Sequence, residues 1–192
     1  MSDSSKRGRF WIFCSNKVVI AFGIFLAGFA AFGGVNSFFA HTNEMEFCTS
    51  CHSMKTNLAE YKETVHYKNA SGVRAVCSDC HVPKEFGPKL HAKIMAVKDI
   101  YHEVVGTVDT PEKYEARRWE MASRVWAKME ATDSRECRSC HNFATMDYEV
   151  QDSMAAKKHQ RAQESGKTCI DCHKGIAHHE PDPPEEEVAA EE

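Results

Sequence analysis

The longest apolar run, "VVIAFGIFLAGFAAFGGVNSFFA" from Val18 to Ala40, carries no charge across 23 residues. As a helix it would span roughly 34 Å, enough to cross a bilayer core of about 30 Å. It has no polar face, which argues against a buried core helix. A cleaved signal peptide is the other reading. The run exceeds a usual signal core, and a small-x-small cleavage site would put Phe38 at a small-residue position. The pattern therefore predicts an uncleaved transmembrane anchor. Two amphipathic stretches follow. In "PKLHAKIMAVKDIYHEVVG", Leu90, Ile94, Val97, Tyr101 and Val104 recur at three- and four-residue spacing. This predicts a helix over 89–105 with one apolar face, Pro88 near its first turn and Gly106 at its close. "TPEKYEARRWEMASRVWAKME" predicts a second helix, with Thr110 as its cap and Pro111 at its first position, running to about Glu130. Trp119 and Trp126, seven apart on one face of it, read as core.

Charge divides the chain into four parts. Residues 1–17 hold Lys6, Arg7, Arg9 and Lys17 against Asp3. Basic residues before an anchor place the N-terminus in the cytoplasm, so everything after Ala40 is expected on the far side of a bacterial inner membrane. Residues 41–179 form an outer domain near neutrality. Residues 180–192, with seven acids and no base, read as a solvated, disordered tail. The chain has no basic patch fit for nucleic acid. It also has no Gly-rich phosphate loop and no G-x-S-x-G.

Eight of the nine cysteines fall in four C-x-x-C-H motifs. These are Cys48-Cys51-His52, Cys77-Cys80-His81, Cys137-Cys140-His141 and Cys169-Cys172-His173. The ninth, Cys14, reads as an ordinary apolar residue at the cytoplasmic edge. C-x-x-C-H is the attachment signature of c-type haem. Two cysteines three apart can add to the two vinyl groups of one porphyrin, and the next residue then lies under the iron. Zinc also binds C-x-x-C pairs, but it does not require His directly after each second Cys. Four covalent haems also predict the architecture: a mostly helical domain of short helices and long loops, in which the rings supply much of the core.

The motifs start 29 and 32 residues apart within two pairs, and 60 residues separate the second from the third. "HYKNASGVRAVCSDCH" and "HQRAQESGKTCIDCH" share a lone His, a Ser-Gly and a C-x-D-C-H ending, which predicts two duplicated dihaem units. Each low-spin iron needs a second ligand. The repeat nominates His66 and His159, and "CHKGIAHHE" adds His178, with His179 behind it. His91 is a weaker candidate, and His41 and His102 read as solvated. In the first motif His52 and Met54 compete for the near side of one iron.

These residues resemble the NapC/NirT family of membrane-anchored tetrahaem cytochromes, from the anchor to "CIDCHKGIAHH". The segments "HYKNASGVRAVCSDCHVP", "ATDSRECRSCH" and "KTCIDCHKGIAHH" are similar to the quinol-oxidising cytochrome of periplasmic nitrate reductase systems. The resemblance implies oxidation of menaquinol or ubiquinol at the membrane and electron delivery to a periplasmic reductase or its cytochrome subunit. Relatives that feed nitrite reductase share the plan. So does a plain electron carrier that never touches quinol, and a homo-oligomer is compatible with it. It implies His66, His159 and His178 as distal ligands and Met54 in place of His52 on the first haem. It also places Lys93 and Asp99 near the quinol, with Asp99 as proton acceptor. Those two stand about 240° apart around a helix and so must flank the quinol. Many relatives carry His where this chain has Lys84, which leaves the second haem's distal ligand the most open of the set.

Overall fold

The computed structural model describes residues 4–184, with side chains from residue 16 onward. Most of the acidic tail expected over 180–192, and the side chain of Cys14, lie outside the described residues. The chain divides after Thr42 into two units.

The first unit is one helix, α1 (Ser4–His41). Its segment Asn16–His41 is long and apolar enough to span a bilayer and buries none of its most apolar stretch. Thr42 closes it, its hydroxyl donating to the Phe38 carbonyl at 2.9 Å.

The second unit is built from short helices, and no strand occurs among the described residues. They are α2 (Met45–Cys48), α3 (Met54–Tyr61), α4 (Cys77–His81), α5 (Phe86–Val104), α6 (Pro111–Glu115), α7 (Arg118–Ala131), α8 (Arg135–Arg138) and α9 (Ser153–Ser165), with single 3₁₀ turns at Phe143–Thr145 and Cys169–Asp171. The apolar helix predicted over 89–105 is α5. The helix predicted from Thr110 to about Glu130 is corrected: it is two helices, broken at Ala116 and Arg117. Thr110 does cap the first, its Oγ1 accepting from the Lys113 N–H. At Arg117 the backbone leaves helical geometry (φ −113°, ψ 0°). The break turns Arg118 back onto Glu60 and Glu115, contacts that the periodicity of one segment cannot register.

The apolar core is small. Trp126, Met129 and Ile170 form its buried cluster, with Trp119, Ala122 and Val125 packed against them. The Trp119 and Trp126 rings meet edge to face at 5.6 Å, as their spacing predicts. Between α7 and α8 the chain turns through two consecutive left-handed residues, Asp133 (φ 54°) and Ser134 (φ 45°). Neither is glycine, so the turn carries strain that the surroundings must offset. Ser134 is fully buried, and its Oγ accepts the Ile170 N–H at 3.1 Å. That bond ties the start of the fourth motif to the third.

Ser134→Ala leaves the buried Ile170 N–H without an acceptor. We expect a loss of about 1–3 kcal/mol in stability, read as a lowered denaturation midpoint with haem content unchanged.

Candidate functional site

Each attachment turn is held by local hydrogen bonds that follow from its sequence. In the second motif, Asp79 Oδ2 accepts from the Val76 N–H at 2.9 Å. In the fourth, Asp171 Oδ2 accepts from the Thr168 N–H at 2.6 Å and the Thr168 hydroxyl at 3.1 Å. The shared Asp of C-x-D-C-H thus does one job twice, closing the turn that presents both cysteines. The shared Ser-Gly is equally structural. Gly72 (φ 71°) and Gly166 (φ 68°) both take the left-handed conformation that glycine permits. The likeness stops there, because His159 lies within helix α9 whereas His66 lies in a loop.

The four turns are strung in chain order. Helix α2, carrying Cys48, packs on α4, which carries Cys77 and Cys80. Helix α4 packs on α8, which carries Cys137. The Ser134 bond then joins the third turn to the fourth, where Cys169 and Cys172 stand.

Three of the four motif histidines face a histidine from elsewhere. His141 faces His66 with ring centroids 6.0 Å apart. His81 faces His178 at 6.3 Å, and His173 faces His159 at 6.1 Å. Two metal–nitrogen bonds of about 2 Å, with half an imidazole on either side, add to roughly 6 Å. Burial holds His66, His81, His173 and His178 below the ordinary imidazole range. For His66, His81 and His173 the facing ring adds to the effect. His81, surrounded by protein yet with an accessible ring, is lowest, at about 4. Neutral imidazole is the metal-binding form.

The distal histidines are positioned individually. The Tyr61 hydroxyl sits between the His66 and Ala75 carbonyls and clips the ends of the His66 loop together. His159 Nδ1 pairs with Gln151 Oε1 at 2.7 Å, leaving the other ring nitrogen for a metal. His66 and His178 each keep a buried Nδ1 with no protein partner, which is costly unless something else satisfies the ring. Glu60 and Arg118 choose between His178 and His179. Glu60 Oε2 accepts from Arg118 at 2.5 Å and from the His179 N–H at 2.9 Å. Arg118 also donates to the His179 carbonyl at 2.9 Å. Burial alone would raise the Glu60 carboxyl; Arg118 and the His179 N–H hold it below its ordinary range. With the His179 backbone clamped, its side chain stays outside, 73% exposed, and His178 points at His81. Nothing in the sequence flagged Glu60 or Arg118. Lys84 sits 3.7 Å from Asp79, the carboxylate that closes the second attachment turn.

The first motif differs. His52 is exposed and no imidazole faces it among the described residues. Its ring instead lies near Asp109, whose carboxyl Lys113 and, to a lesser degree, His52 hold low. Met54 opens α3 and is half-buried, its Sδ 3.8 Å from Asn57 Nδ2. Glu103 of α5 grips this turn. Its Oε1 accepts from the His52 and Ser53 N–H groups at 2.9 and 3.4 Å, and its Oε2 from the Ser53 hydroxyl at 2.6 Å. The half-buried residues of α5 are Lys89, Ala92, Lys93, Ala96, His102 and Glu103, and of these Glu103 bonds the first motif. Around the helix Lys93 stands about 80° to one side of Glu103 and Asp99 about 40° to the other. Lys93 is lowered by burial, and it interacts electrostatically with Cys48. Asp99 is exposed. His91 is exposed too, and His102 Nδ1 lies 3.3 Å from Thr107 Oγ1; neither meets a motif histidine.

A helical chain with one membrane-length helix and four C-x-x-C-H turns is a multihaem c-type cytochrome, a haem protein of electron transport. It belongs to the NapC/NirT cytochrome c family, whose N-terminal region matches residues 13–183. It is 58% identical to a putative tetraheme cytochrome-c type protein of Allochromatium vinosum, over 88% of this chain and 92% of that one. It is 51% identical to the cytochrome c-type protein NapC of Escherichia coli, over 82% and 80%. The denitrification system component NirT of Stutzerimonas stutzeri is 50% identical, over 82% and 79%. No solved structure matches the chain.

The clamp gives a test. Arg118→Ala frees the His179 backbone and should shift one low-spin haem signal, with the other signals unchanged. Arg118→Lys should restore it in part. Electron paramagnetic resonance of the oxidised protein reads both.

Proposed function

We propose that the chain is a single-pass inner-membrane quinol dehydrogenase that passes electrons through four covalent haems to a periplasmic reductase, nitrate reductase first among them. The observation that carries this reading is the contrast between three facing imidazole pairs and a first motif with none. On it, the eight motif cysteines hold the four haems. His81 with His178, His141 with His66, and His173 with His159 would hold the iron of three of them. Bound in this way, the haems would supply one-electron relay chemistry. The chain order of the attachment turns supports a relay that starts at the first motif and leaves by the last.

At the first motif Met54 would hold the iron in place of His52, which has a weak electrostatic effect on Asp109. Quinol oxidation releases two electrons and two protons, so it needs a base beside the first ring. Asp99 accepts a proton from the quinol hydroxyl, and Lys93, on the other side of Glu103, orients it. Burial lowers Lys93 and favours its neutral amine. The basic N-terminus supports a cytoplasmic start and a periplasmic haem domain.

Three outcomes are expected. Denatured protein should weigh four haems more than the chain and keep its colour. Met54→Leu should alter one high-spin signal and leave the low-spin haems alone. Asp99→Asn should slow quinol oxidation by about 100-fold or more, the usual contribution of a positioned base, with all four haems in place. A wild-type rate in Asp99→Asn would remove the proton-acceptor role. Purified protein that accepts electrons from another carrier but never from quinol would leave a plain electron carrier.

A further inference from the structure

The apolar face of α5 does not pack on the haem domain. None of its residues is buried, and Leu90, Ile94, Val97, Tyr101 and Val104 are between 39% and 79% exposed. Eight of the fifteen exposed large hydrophobic residues after Thr42, among those described, lie on this one helix. A continuous apolar stripe of about four turns is more than a soluble surface leaves uncovered. The helix does have a docked side. Glu103 bonds the first attachment turn, and the half-buried Ala92 and Ala96 share its side of the helix. That side is centred about 140° away from the exposed stripe. Helix α5 is thus attached through Glu103 and shows its large apolar residues outward.

We propose that α5 lies on the membrane surface, with the Leu90–Val104 stripe in the boundary between headgroups and acyl chains. Three observations select a bilayer as the occupant. The exposed Lys98 flanks the stripe on one side, a long side chain that reaches lipid phosphates while its stem stays apolar. Tyr101 stands within the stripe, an aromatic residue suited to the interface by its polar tip. Only residues 42–44 join α1 to α2, so a bilayer that holds α1 is always within reach of the domain, at high effective concentration. A soluble partner that comes and goes would leave the stripe in water between encounters. The inference stands apart from the quinol chemistry, since it uses neither Lys93 nor Asp99. It adds a role for Glu103, which fastens the first attachment turn to a helix held at the membrane surface.

The test uses the full-length holoprotein in lipid nanodiscs, one copy per disc, with a fraction of the lipid carrying a diazirine in its acyl chain. After photolysis and digestion, mass spectrometry should find lipid adducts on peptides of α5 as well as α1. An Ile94→Glu/Val97→Glu double variant should lose the α5 adducts and keep those on α1, with haem content unchanged. Wild-type protein labelled on α1 and bare on α5 overturns the proposal. Adducts on α5 that survive the double variant overturn the assignment to this face. Protection of α5 seen only when several copies share a vesicle, with no lipid adducts, shows a chain-to-chain interface instead. The wild-type map decides the question even if the double variant fails to mature.

Discussion

Three facing imidazole pairs, each closed to 6.0–6.3 Å, are the constraint on which the haem domain is organised. The domain's own apolar core is one small cluster around Trp126. A domain of this length normally buries far more of its apolar surface. Covalent haem explains the deficit, because the prosthetic groups bring large apolar rings and each is fixed to the chain at two cysteines. Secondary structure then only has to deliver side chains. A five-residue helix closed by Asp79 and a single 3₁₀ turn closed by Asp171 are enough for that.

Delivery is done by polar contacts rather than packing. Tyr61 closes the His66 loop, Gln151 orients His159, and Glu60 with Arg118 fixes the backbone beside His178. The break between α6 and α7 belongs to the same logic. A continuous helix from Thr110 would satisfy the local pattern, but Arg118 is needed at Glu60 and at the His179 carbonyl.

The first motif stands outside this scheme, and α5 accounts for the difference. One side of the helix grips the turn through Glu103. Lys93 and Asp99 rise on either side of that grip, and the large apolar residues face away from the domain.

Much of this was legible in the sequence because it depends on local spacing. The anchor is a run of apolar residues, the attachment turns are a five-residue motif, and the amphipathic pattern of 89–105 marks α5. The repeat nominated His66 and His159 as second ligands, and in the fold each faces a motif histidine. It could not say which motif each would face, because His66 meets His141 and His178 meets His81 across most of the length of the domain. The choice of His178 over His179 depends on a buried ion pair between Glu60 and Arg118, two residues with no distinguishing local pattern. The apolar face of α5 was visible as periodicity, but whether it met a core or faced outward was not. Periodicity shows that a helix has an apolar side; only the arrangement of the other elements decides what lies against it.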